Sequence, residues 1–284
     1  MIESISGGMG RLDWGDPDRP VDLVFLHATG FNARTYRTLL APMGDRFHVV
    51  ALDLRGHGAS TLPTDPRNHP SWRVYADDIA AVLNTFDQPV VLAGHSMGAT
   101  TALLTAERAP GHVRSLVMLD PVIMTRRQAA FLRLPGAWRL AMRHPWAVAA
   151  LKRRDRFPSK DDAFKAYHGR GSFRSWPDET LRDYVEGGFR PTPDGDVELT
   201  CARDWEAANY GAQANDPWSA LKRMPLPVRI LKAERGSTCA VTPGDAARFP
   251  DASIQTVEGG NHFFPMVRAE AARAALFEAL DPST

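Results

Sequence analysis

Residues 90–98 read Val90-Val91-Leu92-Ala93-Gly94-His95-Ser96-Met97-Gly98. Four apolar residues make a strand-like run, which breaks at a pentapeptide of the form G-x-S-x-G. Ala99, Ala102, Leu103, Leu104 and Ala106 follow at helical spacing. The order is strand, tight turn, helix, with Ser96 at the apex. The chemistry accounts for the glycines. A serine on a strained turn needs neighbours without side chains two positions before and two after, so that strand and helix can approach. The free N–H groups and positive dipole end of that helix then suit a developing oxyanion.

Moving outward, the same rhythm recurs. Val21-Asp22-Leu23-Val24-Phe25-Leu26 and Phe47-His48-Val49-Val50-Ala51-Leu52 are near-continuous apolar runs, as buried parallel strands should be. The first leads into His27-Ala28-Thr29-Gly30, the second into Asp53-Leu54-Arg55-Gly56-His57-Gly58. Residues 72–86 are helical by the spacing of Val74, Ile79, Val82, Leu83 and Phe86. Another strand, residues 113–119, ends at Asp120-Pro121. Residues 11–18 read as a strand end and a turn. The rhythm resumes with strands at 228–231 and 252–257, a loop Gly259-Gly260-Asn261-His262, and a terminal helix over 267–280. Strands alternating with helices predict an α/β fold with a mostly parallel, doubly wound sheet and right-handed crossovers. Residues 122–221 break the pattern. Helical stretches there alternate with Pro and Gly, and Trp138, Trp146, Trp176 and Trp205 fall among them. They read as a helical insertion covering the strand ends, between a first core part, 1–121, and a second, 222–284.

Composition excludes several classes. The chain has 284 residues, 44% hydrophobic and 24% charged, as in ordinary globular proteins. A net charge of +1 gives no general affinity for nucleic acid. No apolar run approaches the ~18 residues of a membrane span. The N-terminus lacks a basic region followed by an apolar core, so no secretory signal is expected. The two cysteines, Cys201 and Cys239, have no metal-like spacing and suit free thiols in a reducing cytoplasm. Residues 126–156 hold nine Lys or Arg and one acid, Asp155. That is either a basic patch for an acidic substrate or membrane surface, or a solvated helix face whose aliphatic stems cover tryptophans. The solvated face is the expectation.

Four stretches in this order resemble the α/β-hydrolase superfamily over nearly the whole chain. His27-Ala28-Thr29-Gly30 is similar to its oxyanion loop, and Asp53-Leu54-Arg55-Gly56-His57-Gly58 to its D-x-R-G-x-G loop. Gly94-His95-Ser96-Met97-Gly98 resembles its nucleophile elbow, and His262 its late histidine. The resemblance implies that 122–221 is a cap shaping the substrate pocket. It implies Ser96 as nucleophile, His262 as base, and backbone N–H groups of Thr29 and Met97 as the oxyanion hole. His27 is expected to support the oxyanion loop, and His95 to pack inside the elbow. Ala28 departs from the glycine common in the family.

The acid departs further. Many members carry an aspartate after the penultimate strand, but residues 232–238 here read Lys-Ala-Glu-Arg-Gly-Ser-Thr, with Gly236 or Ser237 near its place. Asp120 leaves a buried strand at its carboxyl end, where catalytic groups gather in open sheets, and some relatives place the acid there. Asp120 is therefore the expected acid, with Glu234 as the alternative and Asp245 further from the expected place. The expected activity is hydrolysis of a small-molecule ester, thioester or lactone through an acyl-enzyme, without cofactor or metal. The serine argues against the dehalogenases and epoxide hydrolases of this fold, which place aspartate at the elbow. The same Ser–His pair also serves C–C bond hydrolysis, acyl transfer, perhydrolysis and cofactor-free oxygenation, and some relatives are non-enzymatic receptors. The expected partner is a small-molecule substrate, with no nucleic acid and the chain a monomer or homodimer. Trp138 and Trp205 are expected to influence acyl-chain preference.

Overall fold

In the computed structural model, which describes residues 1–134 and 136–281, the apolar runs lie side by side in one sheet. In chain order its strands are β1 (Ile2–Ser6), β2 (Met9–Trp14), β3 (Leu23–Leu26), β4 (Val49–Asp53), β5 (Val90–His95) and β6 (Val113–Leu119). After a long insertion that carries β7 (Arg156–Phe157), β8 (Phe189–Pro191) and β9 (Val197–Leu199), the sheet is completed by β10 (Val228–Arg235) and β11 (Ala252–Asn261). The spatial order is β1-β2-β4-β3-β5-β6-β10-β11. All pairings from β4 to β11 are parallel, and β1 and β2 add an antiparallel edge. The fold is that of the α/β hydrolases.

Continuous apolar runs are required because both faces are covered. Val24, Leu26, Val50 and Leu52 pack into one core with Ile79, Val82, Leu103 and Leu104 from the helices Arg73–Leu83 and Met97–Arg108. Their neighbours Leu23, Phe25, Val49 and Ala51 point the other way, into a core with Leu39, Leu40 and Leu276. This alternation is the strand period of two acting on a sheet with no solvent face.

Between β6 and β10 run seven α-helices among the described residues, from Arg126–Leu132 to Pro217–Arg223, and one 3₁₀ turn, Gly171–Phe173. The insertion is not wholly helical. β7, β9 and β8 form a small antiparallel sheet whose strands are two or three residues long, too short to show a period of two in the sequence. The boundary expected at 221/222 falls inside the helix Pro217–Arg223. That helix belongs to the body of the fold, since Trp218, Ala220 and Leu221 join the core around Leu103 and Leu104. Of the expected second core part, residues 282–284 lie outside the described residues, as does Pro135 of the insertion.

Candidate active site

The turn after β5 is built as its glycines require. A Cβ on Gly98 would stand 2.2 Å from the carbonyl oxygen of Leu26 in β3, and one on Gly94 would stand 2.5 Å from the Gly98 carbonyl carbon. Neither contact is possible for a real side chain. The close fit forces Ser96 to φ 55°, ψ −119°, at the start of the helix Met97–Arg108. Asp120, directly after β6, is also in the left-handed region, at φ 41°. They are the two non-glycine residues with positive φ among the described residues. Such backbone costs roughly 1–3 kcal/mol each and persists only where its surroundings impose it.

These two strained residues meet through His262. The Ser96 Oγ lies 3.1 Å from His262 Nε2, and His262 Nδ1 lies 2.6 Å from Asp120 Oδ2. All three are buried, Asp120 completely. His262 reaches this point because β11 bulges. Its register against β10 jumps between Ala233, paired with Val257, and Arg235, paired with Asn261. The extra residues include Gly259, at φ 64°.

Asp120 is held by more than the histidine. Its Oδ1 accepts hydrogen bonds from the Ala233 amide at 2.9 Å and the Ser237 hydroxyl at 2.5 Å, and its Oδ2 accepts one from the Thr238 amide at 3.1 Å. Burial alone would raise its pKa. His262, Ser237 and the Ala233 amide outweigh that and hold the carboxyl below its ordinary value. Ser237 thus occupies the neighbourhood where the family's usual aspartate was sought and donates to a carboxylate that follows a different strand. Sequence reasoning missed this role; the one signal was Ser237 standing near an empty acid position. Glu234 lies elsewhere, exposed, with its Oε2 accepting the Gly259 amide at 2.8 Å across the bulge. Asp245 caps the short helix Pro243–Ala246.

Opposite His262 lies the His27–Gly30 loop. The Thr29 hydroxyl donates to Met97 Sδ at 3.1 Å, so Thr29 and Met97 are brought together beside Ser96. Their N–H groups make no hydrogen bond to any described residue, while the flanking Ala28 and Gly30 amides are engaged. Gly30 donates to His57 Nε2 at 3.2 Å, and Leu54 donates to His27 Nε2 at 2.9 Å. Each ring is therefore an acceptor at Nε2 and carries its proton at Nδ1, facing the carbonyls of Arg55 and Ala28 respectively. Asp53 ties down the next residues, its carboxylate accepting the Ala33 and Ala59 amides at 2.7 and 2.8 Å.

A relay joins this loop to the histidine loop. The Ala28 amide donates to the Tyr36 hydroxyl at 3.1 Å, which in turn donates to His95 Nδ1 at 2.8 Å. His95 Nε2 then donates to the His262 carbonyl at 2.8 Å. Burial pushes His95 down to about 3 and His57 down to about 4, keeping both rings neutral.

Two lobes open from Ser96, and Thr29, Trp146 and Tyr210 border both. The first, about 490 Å³, is walled mainly by apolar side chains, among them Ile123, Met124, Phe131 and Leu132. The second, about 450 Å³, is bordered by Phe31, Tyr167, Phe173 and Phe263 and by two cations, Arg153 and Arg170. Arg153 is paired with Glu206 at 3.0 Å, whereas Arg170 is exposed and in no ion pair with a described residue. Trp146 stacks on His262, ring centroids 6.1 Å apart. Trp138 and Trp205, expected to affect chain preference, border neither lobe. Trp205 is buried, donating to the Arg55 carbonyl, and Trp138 lies beside a separate cavity with Met142. Among the described residues no cluster of His, Cys, Asp or Glu has the geometry to hold a metal ion, and no helix is long and apolar enough to cross a membrane. Both cysteines are buried thiols whose pKa burial raises.

A 2-(acetamidomethylene)succinate hydrolase of Mesorhizobium japonicum is 28% identical over 269 residues, 91% of this chain and 87% of its own. A pimeloyl-[acyl-carrier protein] methyl ester esterase of Methylococcus capsulatus is 28% identical over 235 residues, 80% of this chain and 81% of its own. Among solved structures, an E-2-(acetamidomethylene)succinate hydrolase superposes with a TM-score of 0.81 at 23% identity, covering 99% of both chains. A thioesterase domain from the curacin biosynthetic pathway superposes with a TM-score of 0.74 at 19% identity, covering 97% of this chain and 98% of its own. Residues 23–276 match the model of the alpha/beta hydrolase family, and with that match running from β3 to β11 and taking in Ser96, Asp120 and His262, the chain belongs to this family as an enzyme of the hydrolase class.

Proposed function

We propose that this protein is a serine hydrolase that cleaves a small-molecule ester, thioester or lactone through an acyl-enzyme. The observation that carries this is the unbroken hydrogen-bond chain from Ser96 Oγ through His262 to Asp120. Asp120 accepts the Nδ1 proton, so the Nε2 lone pair faces the serine. His262 takes the Ser96 proton as Oγ attacks the acyl carbon. The oxyanion rests on the Thr29 and Met97 amides, donors typically worth ~3 kcal/mol each in the transition state. His262 returns the proton to the leaving oxygen or sulfur. Water, deprotonated by the same ring, then releases the acid and restores Ser96. Residues 122–221, less the stretch from Pro217 that packs into the body, act as the cap between core parts 1–121 and 222–284, and supply most of the wall of the apolar lobe. The site works without a cofactor or metal, and the reading places the enzyme in the cytoplasm.

The test is a fluorophosphonate probe with peptide mapping, run beside turnover of p-nitrophenyl acetate. Labelling is expected on Ser96, and Ser96→Ala should lower turnover on the order of 10⁶-fold while circular dichroism stays unchanged. A mutant that keeps most of its activity sinks the proposal. A folded, unlabelled wild-type protein would leave the receptor reading, and a labelled protein without ester turnover would leave another Ser–His chemistry.

A second reading follows from the other lobe. Arg170, with the Arg153–Glu206 pair behind it, offers positive charge to a substrate carboxylate near Ser96. One relative is named for a substrate that carries an acetamide on a succinate. By this reading the acyl group leaves from an amine, and the acid-bearing part lies in the second lobe. Comparing acetylated amines with and without carboxylates against simple esters separates the two readings.

A further inference from the structure

We propose that the outer surface of residues 126–154 docks on an anionic lipid bilayer. This stretch contains eight Lys or Arg and no Asp or Glu, in a chain whose net charge is only +1. Arg127, Arg139, Arg143, Lys152 and Arg154 are exposed and in no ion pair with a described residue. The same surface is apolar. Of the ten large hydrophobic side chains that are exposed among the described residues, seven lie between 131 and 151, including Leu134 at 57%, Trp146 at 45% and Trp138 at 43%. Single exposed apolar residues are ordinary; seven in twenty-one positions beside uncompensated cations are not.

The helix Pro145–Lys152 shows how the surface arises. Ala147 and Ala150 turn inward and pack on Ala207 of the helix Arg203–Gly211. At 100° per residue, Lys152 faces the opposite way with Val148 next to it, while Leu151 and Trp146 lie on the two flanks of the inward face; all four are exposed. A surface helix ordinarily turns polar residues outward. Here the exposed surface mixes the cation Lys152 with Val148, Leu151 and Trp146, which is the composition of a helix lying in a membrane interface. Charge complementarity selects the occupant. A two-fold contact with a second copy would set this cationic patch against itself. An anionic headgroup layer with acyl chains beneath it meets both the cations and the apolar side chains. Phe131 and Trp146 stand on this surface and also border the lobe that ends at Ser96. Docking would therefore turn the mouth of that lobe toward the lipid. The binding itself does not depend on the proposed chemistry.

The experiment is co-sedimentation of the full chain with vesicles of phosphatidylcholine alone and of phosphatidylcholine mixed equally with phosphatidylglycerol. Binding is expected on the anionic vesicles at low salt, reduced by added salt, and weak on phosphatidylcholine. The exposed double substitution Arg139→Gln with Arg143→Gln should lower the partition coefficient on the order of 25-fold. Leu134→Ser with Leu140→Ser should lower it as well. Thermal melting checks that each variant is folded, and quenching of wild-type tryptophan fluorescence by brominated lipid gives a readout independent of the variants. No binding to anionic vesicles at low salt overturns the proposal, as does binding that neither double substitution weakens. Sedimentation velocity showing a dimer dissociated by Leu134→Ser with Leu140→Ser would assign the surface to a second copy instead. Capture of a purified acidic carrier protein, with no vesicle binding, would assign it to that partner.

Discussion

At the residue scale, the carboxylate beside His262 is the informative departure. Asp120 stands one strand away from the family's usual acid position, yet it touches His262 and has three further hydrogen-bond donors. Asp120→Asn is expected to lower kcat by up to ~10⁴-fold, because an amide donates to Nδ1 and imposes the wrong tautomer. Glu234→Gln should leave kcat near wild type, since among the described residues Glu234 engages the Gly259 amide and not His262. Steady-state kinetics on one activated ester decide this, and a crippled Glu234→Gln beside a near-normal Asp120→Asn refutes the assignment. Ser237→Ala should cost roughly tenfold, the loss of one hydrogen bond to a charged group whose other donors remain. The contact of Asp120 with His262 was legible through the resemblance, because residues 232–238, where the family usually places its acid, offer no aspartate and a buried strand ends at 119. Ser237 was not legible. Its role depends on how β10 lies beside β6, with Leu231 opposite Leu119, and spacing along the chain does not report that register.

At the element scale, what could be read ahead depended on element length. The central strands β3 to β6 announce themselves because burial on both faces demands unbroken apolar runs. β1 escapes that rule, since four of its five residues are exposed, so the N-terminal hairpin was visible only as a strand end. The strands of the insertion were hidden by their brevity. Which tryptophans border the site was equally hidden, because helices of four to eleven residues joined by Pro and Gly orient through packing rather than periodicity. Trp146 borders both lobes, whereas Trp138 and Trp205 border neither. The element-scale prediction therefore moves to the apolar lobe. Leu132, half-buried in its wall on the helix Arg126–Leu132, can be enlarged to tryptophan. Leu132→Trp should lower kcat/KM for long-chain p-nitrophenyl esters by at least about tenfold while the acetyl ester changes by less than about threefold, since each methylene in such a pocket is worth ~1–3 kcal/mol. An equal loss on every ester would show that this lobe does not hold the acyl chain.

At the scale of the whole molecule, the buried histidines tie stability to pH. His27, His57, His69 and His95 all have their pKa lowered by burial, His57 and His69 to about 4 and His95 to about 3. The geometry agrees, since His27 and His57 accept backbone N–H groups and His95 accepts the Tyr36 hydroxyl, roles that a protonated ring cannot fill. In the unfolded chain these rings titrate near 6.5. Between about 6.5 and about 4 the unfolded state therefore binds more protons than the folded one, and the stability of the fold falls as pH falls. Each ring contributes up to ~1.4 kcal/mol per pH unit in that window. Asp120 acts in the same direction at lower pH, because its carboxyl is held below its ordinary value and its stabilising contribution is lost as pH drops through that folded value. Urea unfolding followed by circular dichroism from pH 8 to pH 4 checks this. The midpoint is expected to be nearly constant above pH 7 and to fall steeply below 6.5. His57 and His27 hold the Gly30 and Leu54 amides around the site, and His95 accepts from the Tyr36 hydroxyl that holds the Ala28 amide, so p-nitrophenyl acetate turnover after return to pH 7.5 should recover only from samples that stayed folded. A midpoint that does not move across the window would mean that these rings are not held neutral, and the hydrogen-bond relay between the Thr29 loop and His262 would have to be redrawn.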